Sequence, residues 1–196
     1  MTFDEMVKLT GKRSETFEIM MKFLSEIENP LIVETGCMRE ENNFEGDGMS
    51  TLIFDTYCSE KGGEFWSVDL DQKAVDFAKS KVKVGNVVCS DSITFLRDKN
   101  KEFLKEGKKI DLLYLDSFDL DPDNAHPSAL HHILELTAII PSLKEGTMVV
   151  VDDNIVEMIE EKKYKILGKG TYVAQYFQAI GVIPTFIGYQ WGWILK

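Results

Sequence analysis

The apolar positions of this chain change period along its length. Phe17, Met20, Met21, Leu24 and Ile27 recur at three- and four-residue intervals, the stripe of an amphipathic helix that Pro30 closes. Beyond Pro30 the apolar residues gather into short continuous runs: LIVET (31–35), EFWSVD (64–69), NVVCS (86–90), IDLLYLD (110–116) and TMVVVDD (147–153). Helix-like segments lie between them at about 50–60, 72–82, 92–106 and 127–144. Runs that are apolar on both faces and alternate with helices predict a parallel sheet covered on both sides. The rhythm then breaks. A last helix over about 171–180 leads into VIPTFIGYQ and WGWILK, which have little chain between them and so predict an antiparallel hairpin. The expected fold is a three-layer α/β sandwich around seven strands, mostly parallel, with an antiparallel C-terminal strand. The chain reads as one domain, residues 1–29 forming a helical segment and 30–196 the core.

One stretch, MREENNFEGDG (38–48), is too polar and too rich in Gly and Asn for either element. It follows the first strand directly, where ligand-binding loops of open α/β sheets lie. Composition adds exclusions. At 196 residues with 44% hydrophobic and 28% charged positions, the chain resembles an ordinary globular domain with a sizeable core. A net charge of −11 argues against a nucleic-acid partner, which needs clustered Lys and Arg. The basic runs KVK (81–83) and EKKYK (161–165) read as solvated helix faces. MTFDEMVKLTGKRSE has no apolar core of a secretory signal, and no apolar run nears the roughly 20 residues that span a bilayer. No membrane association and a cytoplasmic location are therefore expected. Cys37, Cys58 and Cys89 are an odd, sparse set without C-x-x-C, which suits free thiols in a reducing compartment. Trp191 and Trp193 in the last hairpin belong either in the core or at a homodimer interface.

The chemistry gathers at the strand ends, outside which ligands bind in such sheets. There the chain places Glu34-Thr35-Gly36, Asp69, Ser90-Asp91, Asp116 and Asp152-Asp153-Asn154, so an acid ends every expected parallel strand. Helix capping accounts for one or two such acids but less readily for the whole set. Each has a task if the ligand is a cationic adenosine derivative. Gly36, lacking a Cβ, admits close backbone approach. Asp69 can accept from both ribose hydroxyls. Asp91 can accept from an adenine amino group, with the Ser92 amide facing a ring nitrogen. Glu34 suits an ammonium or sulfonium. NAD is disfavoured, because no G-x-G-x-x-G is present and a pyrophosphate wants bare amides rather than an acid.

The ordered set VETGC, WSVDLDQKAVDFAK, CSDSITFL, IDLLYLDSF and LKEGTMVVVDDN, with the terminal hairpin, resembles the class I S-adenosylmethionine-dependent methyltransferases over nearly the whole chain. The resemblance implies a Rossmann-like fold and an enzyme that uses S-adenosylmethionine. It assigns cofactor contacts to Glu34, Thr35, Gly36, Cys37, Ser50, Thr51, Asp69, Leu70, Asp91, Ser92 and Asp116. Gly36 and Asp69 are 33 positions apart, however, against the usual spacing of about 20. The 38–48 loop supplies the excess, and Gly46 and Gly48 are expected to form a second turn before a helix that Ser50 caps.

Within that family the catechol-type enzymes hold Mg²⁺ with an Asp on the fourth strand and an Asp-Asn pair on the fifth. Asp116, Asp153 and Asn154 match those positions, and Asp152 joins them by likeness to the Asp-Asp pair of macrolide and sugar O-methyltransferases. Asp116 and Asp153 end strands expected to be neighbours about 4.8 Å apart, where like charges call for a cation between them. Oxygen ligands favour Mg²⁺ or Ca²⁺ over zinc. The lysine base of the catechol enzymes is replaced by Asp119, so Asp116, Asp119 and His126 are the candidate catalytic residues. DSFDLDPDN (116–124) is not an EF-hand, because Asn124 and Leu130 stand where Gly and Glu are needed. The expected reaction is methyl transfer to an oxygen of a small molecule or sugar. The alternatives are another nucleotide-using enzyme, glycosyltransferase-like, or a non-catalytic binding module. The loops 38–48 and 117–126 and the segment 155–169 are expected to shape the acceptor pocket.

Overall fold

A computed structural model of the chain describes residues 1–47, 49–160 and 163–196, with the backbone alone for 156–160 and 163–166. A short helix α1 (Phe3–Val7) opens it, its first turn closed by a reciprocal capping box between Thr2 and Glu5. A 3₁₀ turn (Gly11–Arg13) leads into α2 (Ser14–Ser25), which buries Phe17, Met20, Met21 and Leu24. The helix stops before Ile27; Asn29, in the left-handed region at φ 51°, turns the chain into Pro30.

The alternating part follows: β1 (Leu31–Thr35), α3 (Ser50–Lys61), β2 (Glu64–Asp69), α4 (Gln72–Lys81), β3 (Asn86–Cys89), α5 (Ser92–Glu106), β4 (Leu112–Leu115), α6 (His126–Ile139) and β5 (Met148–Val151). The fourth expected helix is shorter than its apolar pattern suggests, giving way to a 3₁₀ turn at Ile140–Ser142 around Pro141. Next come β6 (Asn154–Glu160), β7 (Lys163–Gly168), α7 (Thr171–Ala179), β8 (Pro184–Ile187) and β9 (Trp191–Ile194).

The main sheet has seven strands in the order β3-β2-β1-β4-β5-β9-β8, parallel through β5, with β9 antiparallel to both β5 and β8. This is the expected architecture. The separate antiparallel pair β6-β7 was not anticipated. It places Lys163 and Lys165 in a strand, so EKKYK is not a helix face; Glu161 and Lys162 lie outside the described residues.

Successive residues of β4 point to opposite layers. Leu112 and Tyr114 pack with Phe17 and Phe54, while Leu113 and Leu115 pack with Leu136 and Trp193. Trp191 and Trp193 are core residues, the Trp193 ring 5.0 Å from that of Phe177. Among the described residues no helix is long and apolar enough to cross a membrane.

Strand order reverses between β1 and β4, and the register there is level: Thr35 pairs with Leu115, and Leu115 with Val151. Residues 36, 116 and 152 therefore leave the sheet side by side, at the switch point where open α/β sheets bind ligands.

Candidate active site

A cleft of about 510 Å³ opens at this edge. Its floor begins at Gly36. With φ +80° the residue is left-handed, and a Cβ there would lie 2.5 Å from the Asp116 carbonyl oxygen. Glycine is thus required for the β1 and β4 exits to touch, a packing reason that stands beside the expected approach to a ligand.

Asp69 faces this turn from the end of β2. Its Oδ2 accepts the Cys37 amide at 3.0 Å and its Oδ1 the Asp71 amide at 2.8 Å. Both oxygens are held in place and keep lone pairs for a ligand. Leu70 beside it is 74% exposed and presents an apolar surface to the cleft. Asp91 N-caps α5, accepting from the Thr94 amide at 2.8 Å, and that bond holds its carboxyl below the usual range. Ser92 lines the same wall, its hydroxyl 2.9 Å from His131 Nε2. His131 in turn lies 3.4 Å from the buried Glu135, whose hydrogen bond raises the imidazole pKa.

Other expected contacts lie behind the wall. Glu34 is fully buried, and its Oε2 accepts from Thr51 at 2.8 Å and Ser67 at 2.6 Å while Oε1 has no partner. Burial pushes its pKa up to about 7, against the pull of the neighbouring Ser50, Ser67 and Thr51 hydroxyls. Thr51 also accepts the Met38 amide. The Thr35 hydroxyl donates to Glu135 at 3.2 Å, away from the cleft. Ser50 lines the cleft but caps nothing: the cap position is Met49, left-handed at φ 52° and without a capping side chain. Gly46 sits in a turn and lines the cleft, and Gly48 lies outside the described residues. Cys37 lines it too, its thiol pushed far up by burial and therefore inert.

The opposite end gathers the acids of β4 and β5 around two cations. Lys169 is buried, its Nζ 2.7 Å from Asp116 Oδ1 and 2.9 Å from Asp153 Oδ2. Arg13, also buried, donates from Nε to Asp152 Oδ2 at 2.7 Å and from a terminal nitrogen to Asp153 Oδ1 at 3.2 Å. Tyr189 donates to Asp153 Oδ1 and lies under the Arg13 guanidinium, 4.6 Å from its ring centre. Asp153 reaches these partners from a left-handed backbone at φ 52°, which Asp tolerates better than most residues. Burial pushes the Asp116 carboxyl well above its ordinary value; Lys169 opposes this, and Asp152 and Asp153 reinforce it. At the rim Arg39 bonds Asp119 at 3.1 Å and Asp47 at 3.3 Å, joining the loops after β1 and β4.

No family model matches the sequence, and no curated protein matches it. Solved structures do resemble it. The calicheamicin methyltransferase CalS11 superposes with a TM-score of 0.59 at 13% identity, over 93% of this chain and 80% of that one. The mycinamycin-pathway methyltransferase MycE, in complex with Mg and SAH, gives 0.57 at 12% identity over 95% of this chain and 54% of its own. A SAM-dependent methyltransferase from Geobacter sulfurreducens bound to S-adenosyl-L-homocysteine gives 0.52 at 10% identity over 88% and 65%. This chain has the methyltransferase fold. It spans about half the length of MycE and about two thirds of the Geobacter enzyme.

Within this methyltransferase fold, several expected roles need correction. The cation between Asp116 and Asp153 is a lysine of the chain itself. Asp152 gives Oδ2 to Arg13 and Tyr114 and Oδ1 to the Asp153 amide. Asn154 turns inward, its amide oxygen taking the Gly170 amide at 2.7 Å and its nitrogen donating to Val151 and Asp152 carbonyls. The expected Mg²⁺ ligands thus have their oxygens engaged by Lys169, Arg13, Tyr114, Tyr189 and backbone amides, Asp116 Oδ2 apart, which does not fit a metal between them. His126 starts α6 on the exposed side, its ring nitrogen 2.6 Å from the Tyr172 hydroxyl, and is no part of the cleft wall. Asp119 lines the rim with its side chain 79% exposed and paired to Arg39, a poor setting for a base.

Arg13, Arg39, His131, Phe118 and Lys169 also line the cleft; Arg39, Phe118 and Lys169 come from the segments expected to shape a pocket without having been singled out, and Arg13 and His131 come from outside them. For Lys169 a signal existed. It stands between Gly168 and Gly170 at the start of α7, where a Cβ would lie 2.4 Å from the Asp153 carbonyl oxygen and 2.7 Å from Asn154 Oδ1 respectively. A Gly-Lys-Gly triplet before a helix marks a backbone pressed against its surroundings. Arg13 carries no such mark, because it belongs to a helical segment that reads as scaffold.

Proposed function

We propose that this chain transfers the methyl group of S-adenosylmethionine to an oxygen of a small molecule or sugar. The observation that carries the reading is Asp69. Two backbone amides, one of them Cys37 next to Gly36, hold its carboxylate at the cleft wall, where a ribose diol can be received, with Leu70 beside it for the adenine and Asp91 one strand further. The carboxylates lining the cleft outnumber its cationic side chains, which suits a sulfonium and an ammonium. That solved structures with this fold carry SAH supports the same cofactor here.

When bound, S-adenosylmethionine supplies a methyl on a positive sulfur; transfer breaks the S–C bond, forms an O–C bond and leaves the electron pair on sulfur. The chain positions, desolvates and takes one proton. Asp116 is the group to take it. Lys169 holds its Oδ1, while its Oδ2 receives no donor among the described residues, and burial raises its affinity for a proton. Asp153 is less free, since Arg13, Tyr189 and Lys169 occupy both its oxygens. The acceptor lies between this end and the rim formed by Phe118 and Asp119. Three thiols with no disulfide among them agree with a cytoplasmic enzyme.

Calorimetric titration with S-adenosylmethionine and S-adenosylhomocysteine tests the reading. Micromolar binding is expected, weakened about 10- to 100-fold in Asp69→Ala through the loss of charge-assisted hydrogen bonds. Binding of neither ligand by the folded protein would overturn it.

A further inference from the structure

We propose that Lys169 is the resident cation of the acceptor end, standing where a metal-assisted enzyme would hold its divalent ion, so that the site works without a metal. The inference rests on the methyltransferase reading for its meaning, though not for its geometry.

Three observations carry it. The first is position: a single ammonium bonds the acid that follows β4 and the acid that follows β5, at 2.7 and 2.9 Å. A third contact, 3.3 Å to the Asp116 carbonyl oxygen, uses the last of its protons. The second is fixation. A surface lysine could swing away to admit an ion, but Lys169 is 1% exposed and the glycines on both sides are pressed against Asp153 and Asn154. Its own amide donates to the Asp153 carbonyl at 3.3 Å, and the Gly170 amide is held by Asn154. Backbone and side chain are therefore both anchored to the end of β5. The third is charge. With their carboxylates ionised, Asp116, Asp152 and Asp153 face Arg13 and Lys169, which leaves one net negative charge in the cluster. A divalent ion added to that set would overcompensate it. Without Lys169 the set would carry two negative charges, the balance a divalent ion restores.

All three ammonium protons are engaged, so Lys169 acts by placing carboxylates rather than by touching the acceptor. It is a positioning residue. It holds Asp116 with one oxygen bonded and the other turned free, the task a metal would otherwise perform. An ammonium, unlike Mg²⁺, offers no open coordination sites for two neighbouring oxygens. The acceptor is therefore expected to present a single hydroxyl, with no need for a vicinal pair.

Manganese serves as the probe, its free ion counted by electron paramagnetic resonance in titrations of the full chain without cofactor. The wild-type protein is expected to take up no Mn²⁺ at this cluster in the millimolar range. Lys169→Ala is expected to bind it at least about tenfold more tightly, and Asp153→Asn in that background to abolish the gain. Wild-type binding that Asp153→Asn removes would overturn the proposal, as would a folded Lys169→Ala protein with no gain. Should the alanine variant not fold, Lys169→Met keeps the stem, removes the charge and is read the same way. Because no S-adenosylmethionine is present, a failure here leaves the cofactor reading intact. A failure of cofactor binding likewise leaves the metal result standing.

Discussion

Glu34 shows how a residue can serve the cleft without lining it. It lies in β1 one residue before the strand's end, fully buried, bonded by Thr51 and Ser67 through one oxygen while the other lacks a partner. Its proton is held more tightly in the fold, with the pKa moving from 4.5 to about 7 through burial. The unfolded chain then loses that proton first as pH rises, so ionisation costs stability across the window between those two values and no further above it. Glu34→Gln removes the penalty. Relative to wild type its stability is expected to rise by about 3 kcal/mol between pH 4.5 and pH 7, measured by denaturant melts at the two ends of the window. A constant difference would mean that Glu34 ionises freely in the fold. The sequence marked Glu34 as special but suggested direct contact with a cation, because position at a strand end does not tell which layer a side chain enters. Asp69 and Asp91 were easier to place, since Asp69 ends β2 where backbone amides hold its carboxylate and Asp91 follows β3 and caps α5. Lys169 is 16 positions beyond Asp153 and reaches it by way of a hairpin; its Gly-Lys-Gly triplet marks a pressed backbone but not which acids the ammonium meets.

At the scale of elements, β1, β4 and β5 were legible because every residue in them is buried and their apolar runs are continuous, as in LIVET and MVVV, while β2 and the edge strand β3, only partly buried, still carry short apolar runs. The β6-β7 pair was not, because charges interrupt NIVEMIEEKKYKILG and hide its alternation. Connections between elements leave still less trace in a pattern of apolar positions. Asp55 on α3 is 1% exposed, and its carboxylate accepts the amides of Lys83, Val84 and Gly85 at 2.9, 2.9 and 2.7 Å. These amides belong to the turn that leads α4 into β3, the edge strand behind Asp91. Asp55→Ala leaves three part-buried donors without their acceptor and is expected to cost about 3 kcal/mol in denaturant unfolding. It should also weaken S-adenosylhomocysteine binding, because the β3 exit that carries Asp91 loosens. A loss of stability with unchanged affinity would separate the turn from the site.

For the molecule as a whole, the net charge of −11 and the cleft act in the same direction. The cleft wall carries Asp47, Asp69, Asp71, Asp91, Asp116, Asp119 and Asp153 against Arg13, Arg39 and Lys169, so its local field has the sign of the whole surface. S-adenosylmethionine carries one more positive charge than S-adenosylhomocysteine, and the two otherwise share their contacts. Comparing them therefore isolates the response to that charge. Charges close to the sulfur are screened little by salt, whereas the surface charge acts over a Debye length of about 30 Å at 0.01 M and about 10 Å at 0.1 M. The affinity ratio of cofactor to product is thus expected to fall several-fold as ionic strength rises through that range, mostly through weaker cofactor binding. Product binding should change little. Calorimetry of both ligands at the two ionic strengths decides it. A ratio that does not move would assign discrimination to the groups of the cleft alone, with the acidic surface serving solubility; a falling ratio would mean that the whole chain draws the charged cofactor in and lets the neutral product go.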